Sequence, residues 1–443
     1  MGYTSVKGGA EAIAAAERLI QQLQVDSDER LLELRQVRHQ LRAAVDQIMG
    51  EGSLYAPDLA ALAFRQAEGD LAEAAFMLRA YRSTLPRLGY AIPVSGSQMN
   101  VVRRISSTFR DVPDGQLLGR TRDYTQRLLD LDAATPATIP SAPVGTSAET
   151  PDAADGTEPP LWNGHALKVS DAMRRMGLIA QLPATDDRDA GALDDLAAPD
   201  DITRHSMRFP VSRSAWLQGL ARSETGALVC LAYSSLRGYG GGEHGTIAEL
   251  RVGALPLKVI HPLTGEPTTV GTYQVTECEM TGRQGSSDDE SSGTASKPKY
   301  GISYGLVFGQ NERKAISMSL LDSSLMAGAS GEGNPAPAND QEMVLSNTDG
   351  IESFGFVEHL KLPHFVTFGA GLDVSSNLAS DAGAAAGAAA SAAVSAAVVA
   401  VADEQEGPNE PETPVHEPER VNAGAAGAAG AARSASNGEG DLQ

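Results

Sequence analysis

"TYQVTECEM", residues 272–280, alternates side chains of different character over nine positions and contains no proline or glycine. A period of two, rich in β-branched and aromatic residues, predicts a strand. The strand puts Glu277 and Glu279 on one face and Cys278 on the other. "TIAELRV" (246–252), "LPLKVI" (255–260) and "ALVCLAYS" (227–234) are also short, apolar and bounded by turn residues. They are read as further strands of a mainly antiparallel sheet. "ERKAISMSLLDSSLM" (312–326) is read as a helix capped by Asn311, and a second helix is expected around 351–361.

Working toward the N-terminus, residues 10–130 read as helices. In "ERLLELRQVRHQLRAAVDQIM" (29–49), Leu34, Val37, Leu41, Ala44, Val45 and Ile48 keep the three-to-four spacing of a buried stripe. Asp70 with Glu73 has capping-box spacing, and Pro57 with Asp58 suits a first helical turn. Residues 132–160 are rich in Pro, Ala, Thr and Ser, and 182–200 are rich in Asp; "SDAMRRMGLIA" (170–180) between them is at most one short helix. "RQGSSDDESSGTASKP" (283–298) reads as an exposed loop. The expected fold class is α+β: an N-terminal helical region, then a mainly antiparallel sheet domain with a few helices, then a disordered Ala/Gly-rich tail. The boundaries are a helical domain over 1–131, an acidic linker over 132–200, a mixed β/α domain over 201–368 and a low-complexity tail over 369–443.

Charge and cysteine content narrow the function. The net charge is −22, but eleven acids against two bases lie in 370–443 and twelve against four in 134–201. The remainder is near neutral, without the basic footprint that nucleic-acid binding requires. Two cysteines, Cys230 and Cys278, form neither a disulfide framework nor an iron–sulfur ligand set, and a cytoplasmic setting is expected. "AGAAAGAAASAAVSAAVVAVA" (382–402) is long and uncharged but lacks Leu, Ile and Phe, so it is read as tail and no membrane partner is expected.

Several stretches carry chemistry, each beside a plainer reading. Glu277 and Glu279, about 6.6 Å apart along one strand face, would raise one another's pKa and suit a general acid, or else would form a solvated strand face. In "LRGYGGGEHG" (236–245), Arg237, Gly238, Tyr239 and Gly240 form a Gly-rich turn after a strand. It is either a ligand cradle or a hairpin turn. No Walker loop exists, so arginines must hold any phosphates. Arg79 with Arg82, Arg103 with Arg104, and Arg313 with Lys314 are candidates, and each pair equally fits ordinary surface charge. Asp123 is a reserve acid in "LLGRTRDYTQRLLD" (117–130), whose leucines also fit an amphipathic helix. His359 and His364 in "FVEHLKLPHF" (356–365) would point roughly 140° apart on a continuous helix, which Pro363 forbids; a turn there can swing them together as two metal ligands.

"VKGGAEAI", "FMLRAYRSTL", "GQLLGRTRDYTQRLLD", "DDITR", "LAYSSLRGYG", "TECEM", "YGLVFGQNERKA" and "FVEHLKLPHF" occur here in this order. In this the chain resembles the PhnI family, a subunit of the bacterial carbon–phosphorus lyase system, over about 1–131 and 199–368. The resemblance implies alkylphosphonate catabolism. With partner subunits, such a protein displaces adenine from MgATP by a phosphonate, giving a ribose 1-phosphonate 5-triphosphate. Alone, it resembles a nucleosidase acting on ATP or GTP. It implies a core complex with two copies each of four subunits, one bearing the iron–sulfur cluster of the radical step, and an associated ABC-type ATPase subunit. It also implies Zn²⁺ on His359 and His364 near that partner. A non-catalytic scaffold supplying zinc ligands and a docking surface is the alternative, and a free-standing purine nucleosidase a third reading.

Overall fold

The computed structural model describes residues 9–25, 31–129, 131, 167–179, 199–239, 245–284, 299–331, 336–362 and 364–380. They fall into two compact units, divided after Pro363.

The first unit is built on a four-stranded antiparallel sheet, β1 (Asn100–Ile105), β2 (Thr246–Ile260), β3 (Pro267–Gln284) and β4 (Lys299–Phe308), in sequence order. "TIAELRV" and "LPLKVI" are one strand, β2, because Pro256 sits within the ladder opposite Thr272 without breaking it. The alternation of 272–280 holds. Glu277 pairs with Arg251 and Leu306, Glu279 with Glu249 and Tyr304, and Cys278 with Leu250 and Gly305. The Cys278 face packs on α9 (Glu312–Ser330), where Leu250, Cys278, Met280 and Val307 meet Met318, Leu321 and Leu325. Gly305 permits this approach: a Cβ there would lie 2.1 Å from the Ala315 carbonyl oxygen. Asn311 caps α9 as expected, accepting from the Lys314 amide at 3.2 Å.

The N-terminal helices are α1 (Gly9–Val25), α2 (Leu34–Gln40), α3 (Arg42–Gly52), α4 (Pro57–Gln66) and α5 (Leu71–Thr84). The stripe predicted over 29–49 is buried at Val37, Val45 and Ile48, but the helix breaks at Leu41 (φ −107°) and turns α3 across α2. Asp70 caps α5 through the amides of Ala72 and Glu73. Tyr55 ties these helices to the sheet, packing edge-on against Phe308 and Tyr273 and accepting from the Gln274 amide.

The structure corrects several expectations. "ALVCLAYS" lies in helix α8 (Thr225–Ser234), not a strand, because Glu224 accepts from the Gly226 and Ala227 amides and nucleates a helix that packs on α9. It follows α7 (Arg213–Arg222). Residues 100–105 are a strand, and 117–129 contain no helix; Leu117 exchanges backbone hydrogen bonds with Arg104. Residues 167–179, placed in the linker, pack on the sheet through α6 (Val169–Arg175), where Val169, Met173 and Ile179 enclose Ala248. The unit closes with α10 (Gln341–Thr348) and α11 (Gly350–Glu358), followed by a tight turn over His359–Lys361. In the second unit a helix, α12 (Phe365–Ser380), extends twelve residues into the segment expected to be disordered, 369–443. The rest of the tail, most of the linker and the loop of 285–298 lie outside the described residues. No helix among the described residues is long and apolar enough to cross a membrane.

Candidate functional site

The face of the sheet opposite α9 is charged and covered. Glu277 and Glu279 are 2% and 6% exposed, so the solvated strand face is not what forms. Lys168, just ahead of α6, lies between them, its Nζ 3.0 Å from Glu277 Oε1 and 2.7 Å from Glu279 Oε1. Arg251 on β2 donates through Nε to Glu277 Oε2 at 2.8 Å, and Tyr304 on β4 donates its hydroxyl to Glu277 Oε1 at 3.0 Å. Glu249 pairs with buried Arg104, whose other donors reach the carbonyls of Pro113 and Leu167. Three cations, Lys168, Arg104 and Arg251, thus face three carboxylates. Gly96 closes the edge: its carbonyl accepts from Arg251, and a Cβ there would lie 2.6 Å from Glu277 Oε1.

This packing replaces the electrostatics expected from two adjacent glutamates. Burial alone would push Glu277 up, but Lys168 and Arg251 outweigh it and hold the carboxyl below the usual range. Burial alone would lower the Lys168 ammonium, and the two glutamates outweigh it and raise it. Glu279 Oε2 is buried with no hydrogen-bond partner among the described residues. Burial pushes the Cys278 thiol up to about 12, which removes it as a nucleophile.

The other predicted residues do not join this network. Asp123 is half exposed and accepts from Arg103 at 2.6 Å, and Arg103 also holds Glu312 at the start of α9. Arg237 is exposed in a turn that follows helix α8, where Gly238 has φ +96°; its guanidinium donates to the Tyr233 hydroxyl. Tyr239 ends that turn, and Gly240 lies outside the described residues. Arg313 is exposed, whereas its neighbour Lys314 is 1% exposed, and burial lowers its amine to about 8 against the opposing pull of Glu51.

Sequence reasoning missed Lys168, Arg251 and Tyr304. Only the register of β3 against β2 and β4 reveals the last two; nothing local marks Lys168. In a second cluster sequence reasoning found Arg79 but missed Arg222, Asp349 and Glu51. Arg79 on α5 donates to both oxygens of Asp349 and to the Glu51 carbonyl, Arg222 reaches the same Asp349 at 3.2 Å, and Glu51 accepts from the Thr225 amide and hydroxyl.

His359 stacks on Phe356 with ring centroids 5.0 Å apart, and its Nδ1 bonds the Phe356 carbonyl. His364 is exposed at the start of the second unit, and its carbonyl accepts from the Phe368 amide. No group of three or more metal-ligating side chains forms among the described residues.

Comparison with known proteins gives the lineage. A family model described as "Bacterial phosphonate metabolism protein (PhnI)" matches residues 2–382, running through the acidic segment. The chain is 44% identical over 376 residues to the alpha-D-ribose 1-methylphosphonate 5-triphosphate synthase subunit PhnI of Rhizobium meliloti (strain 1021), covering 84% of this chain and 93% of that one. It is equally identical to the putative C-P lyase subunit protein HtxH of Stutzerimonas stutzeri, over 84% and 95% of the two chains. The synthase subunit PhnI of Escherichia coli (strain K12) is 40% identical over 86% of this chain and 99% of its own. With the motifs of the sheet, α5 and α9 all inside the matched region, the chain belongs to the PhnI family of bacterial phosphonate metabolism proteins.

Proposed function

We propose that this chain is the subunit of a carbon–phosphorus lyase system that, with partner subunits, displaces adenine from MgATP by an alkylphosphonate. The observation that carries this reading is its 40–44% identity, over nearly the full length of the relatives, to subunits named for the synthesis of ribose 1-methylphosphonate 5-triphosphate.

In the reaction a phosphonate oxygen bonds to the ribose C1′. The C1′–N9 bond breaks, its electron pair goes to adenine, and an acid protonates the departing base. Positive charge builds on the sugar meanwhile. A carboxylate held anionic, as Glu277 is by Lys168 and Arg251, suits stabilisation of that charge rather than proton donation. Glu279 is ion-paired to Lys168 through Oε1, so in this reading it serves as the acid only when its Oε2, unpartnered among the described residues, has taken up a proton, and Asp123 is the reserve. Mg²⁺ enters with ATP. Arg237 and Arg313, both exposed, are candidates for its phosphates, whereas Lys314, expected beside them, is wholly buried.

Zn²⁺ on His359 and His364 rests on the family resemblance, with the two as part of an incomplete ligand set. The Nδ1 contact of His359 to a backbone carbonyl selects the tautomer with the ring lone pair on Nε2, the arrangement typical of ligating histidines. The zinc would serve structure, tying His359 and His364 to ligands from the iron–sulfur partner. Partner subunits also suit the apolar surface: Phe356, Val357 and Leu360 are 63–73% exposed, and Leu128 and Leu129 are about four-fifths exposed. An ABC-type ATPase and the cytoplasm belong to the same proposal.

The burial and internal neutrality of the Glu277–Glu279 network favour a second reading, in which this chain is scaffold and the chemistry lies elsewhere. Base release from MgATP by Glu277→Gln, Glu279→Gln and Asp123→Asn separates the two. The catalytic reading expects at least one folded variant to lose about 10²–10⁴-fold in rate. Full activity in all three supports the scaffold.

A further inference from the structure

Arg79 and Arg82 stand one turn apart on α5, about 4.5 Å along the axis, so they share a face. Arg222, at the end of α7, joins Arg79 on Asp349. That carboxylate holds two guanidiniums in place and satisfies neither completely: the Nε atoms of Arg79 and Arg222 are buried without hydrogen-bond partners among the described residues. Arg82 is half-buried between them and has no carboxylate within ion-pair distance among the described residues. Its contact with the protein is a 3.5 Å approach to the Ser53 carbonyl, at the limit of a hydrogen bond. Burial and then the like charges of Arg79, Arg222 and Arg87 all lower its pKa, against a smaller opposing pull from Asp201. Behind the arginines, Lys314 is wholly buried, its Nζ without a partner among the described residues and within the field of Arg79, Asp349, Glu51 and Glu224. At the rim Arg87 pairs with Asp201 and lies over the Tyr90 ring.

Four guanidiniums and Lys314 against Asp349, Asp201, Glu51 and Glu224 leave an excess of one positive charge, with Arg82 the guanidinium that lacks an ion-paired carboxylate among the described residues. Crowding like charges costs stability unless an anion offsets it. Arg79, Arg222 and Arg87 all act electrostatically on Arg82, more cations than one tetrahedral anion needs, and guanidinium forks match phosphate oxygens. We propose that Arg79, Arg82 and Arg222, with Arg87 at the rim, form an anion subsite that takes the polyphosphate chain of a nucleotide. The choice of a nucleotide rests on the function proposed above; the anion site itself does not.

The test is calorimetric titration of the full chain with sodium tripolyphosphate and, separately, with methylphosphonate. Tripolyphosphate should bind at least tenfold more tightly than methylphosphonate. Arg82→Gln should weaken it at least tenfold and Arg87→Gln about threefold, while Arg175→Gln, an exposed charge elsewhere, leaves it unchanged. If Arg82→Gln does not fold, Arg87→Gln carries the comparison. No tripolyphosphate binding by the wild type, equal binding by Arg87→Gln and Arg82→Gln, or tighter binding of methylphosphonate overturns the proposal. Binding that is lost in Arg82→Gln, together with no adenine release by the assembled complex, keeps the subsite and removes the ribosyl-transfer reading. Normal adenine release with an unchanged KM for MgATP in Arg82→Gln does the reverse.

Discussion

Lys168→Met is the most informative perturbation of the sheet. The ammonium lies within 3.0 Å of two carboxylates that are almost fully buried, and methionine keeps its length without its charge. In the wild type Glu277 is held below its ordinary pKa, so its contribution is present above about pH 4.5 and is lost as pH falls through the lower folded value. The raised Lys168 contributes fully below about pH 10.5 and loses its contribution as pH rises through its folded value. Removing one partner of a buried pair costs about 3–5 kcal/mol, because the remaining charge stays desolvated. Here Arg251 and Tyr304 still serve Glu277, which places the expected loss near the lower end, about 3 kcal/mol at pH 7. The variant relieves its excess negative charge by taking up a proton on the glutamate pair. Its deficit should therefore shrink as pH falls from 7 to 5. Urea denaturation of the full chain at pH 5, 6, 7 and 8 measures this. A deficit below about 1 kcal/mol at pH 7, or one independent of pH, refutes the view that Lys168 neutralises the pair.

Further outcomes follow from other residues. Gly305→Ala should destabilise the protein by about 1–3 kcal/mol or prevent folding, since the added methyl meets a backbone oxygen; a thermal melt equal to wild type contradicts the close packing of β4 on α9. Lys314 has a folded pKa of about 8 below its ordinary value, so its burial is costly at neutral pH and the cost fades as pH rises from there toward 10.5. The stability of Lys314→Met relative to wild type should thus fall by ~2 kcal/mol between pH 7.5 and 10, and a difference that does not change with pH removes this assignment. His359→Ala or His364→Ala should each lower the zinc content of the assembled complex, measured by elemental analysis, whereas equal content in variant and wild type would exclude the pair as ligands.

Sequence made the sheet's alternation legible because register in a strand needs only a period of two. Glu277, Cys278 and Glu279 fall on the faces it assigns. Alternation gives the side of a residue but not what covers that side. The cover is Lys168, over a hundred positions away in a segment flanked by low-complexity sequence, and it turned an expected pair of mutually raised acids into an ion-paired network. "ALVCLAYS" was ambiguous for another reason: a short apolar run suits a buried strand or a buried helix, and Glu224 decided between them through two backbone amides. The caps at Asp70 and Asn311 were readable because they act within three residues. The convergence of Arg79 and Arg222 on Asp349 was not, since it joins α5, α7 and the junction before α11, elements far apart in the chain.

The proposed function has this chain, with its partner subunits, exchange adenine for a phosphonate on ribose. The most direct measurement is incubation of the assembled complex with MgATP and methylphosphonate, followed by chromatography for adenine and phosphorus NMR for the ribosyl product. Equimolar adenine and ribose 1-methylphosphonate 5-triphosphate, both lost when this chain is omitted and both reduced about 10²-fold or more by Glu279→Gln, is the predicted result. Unchanged product formation by complexes lacking this chain would contradict it.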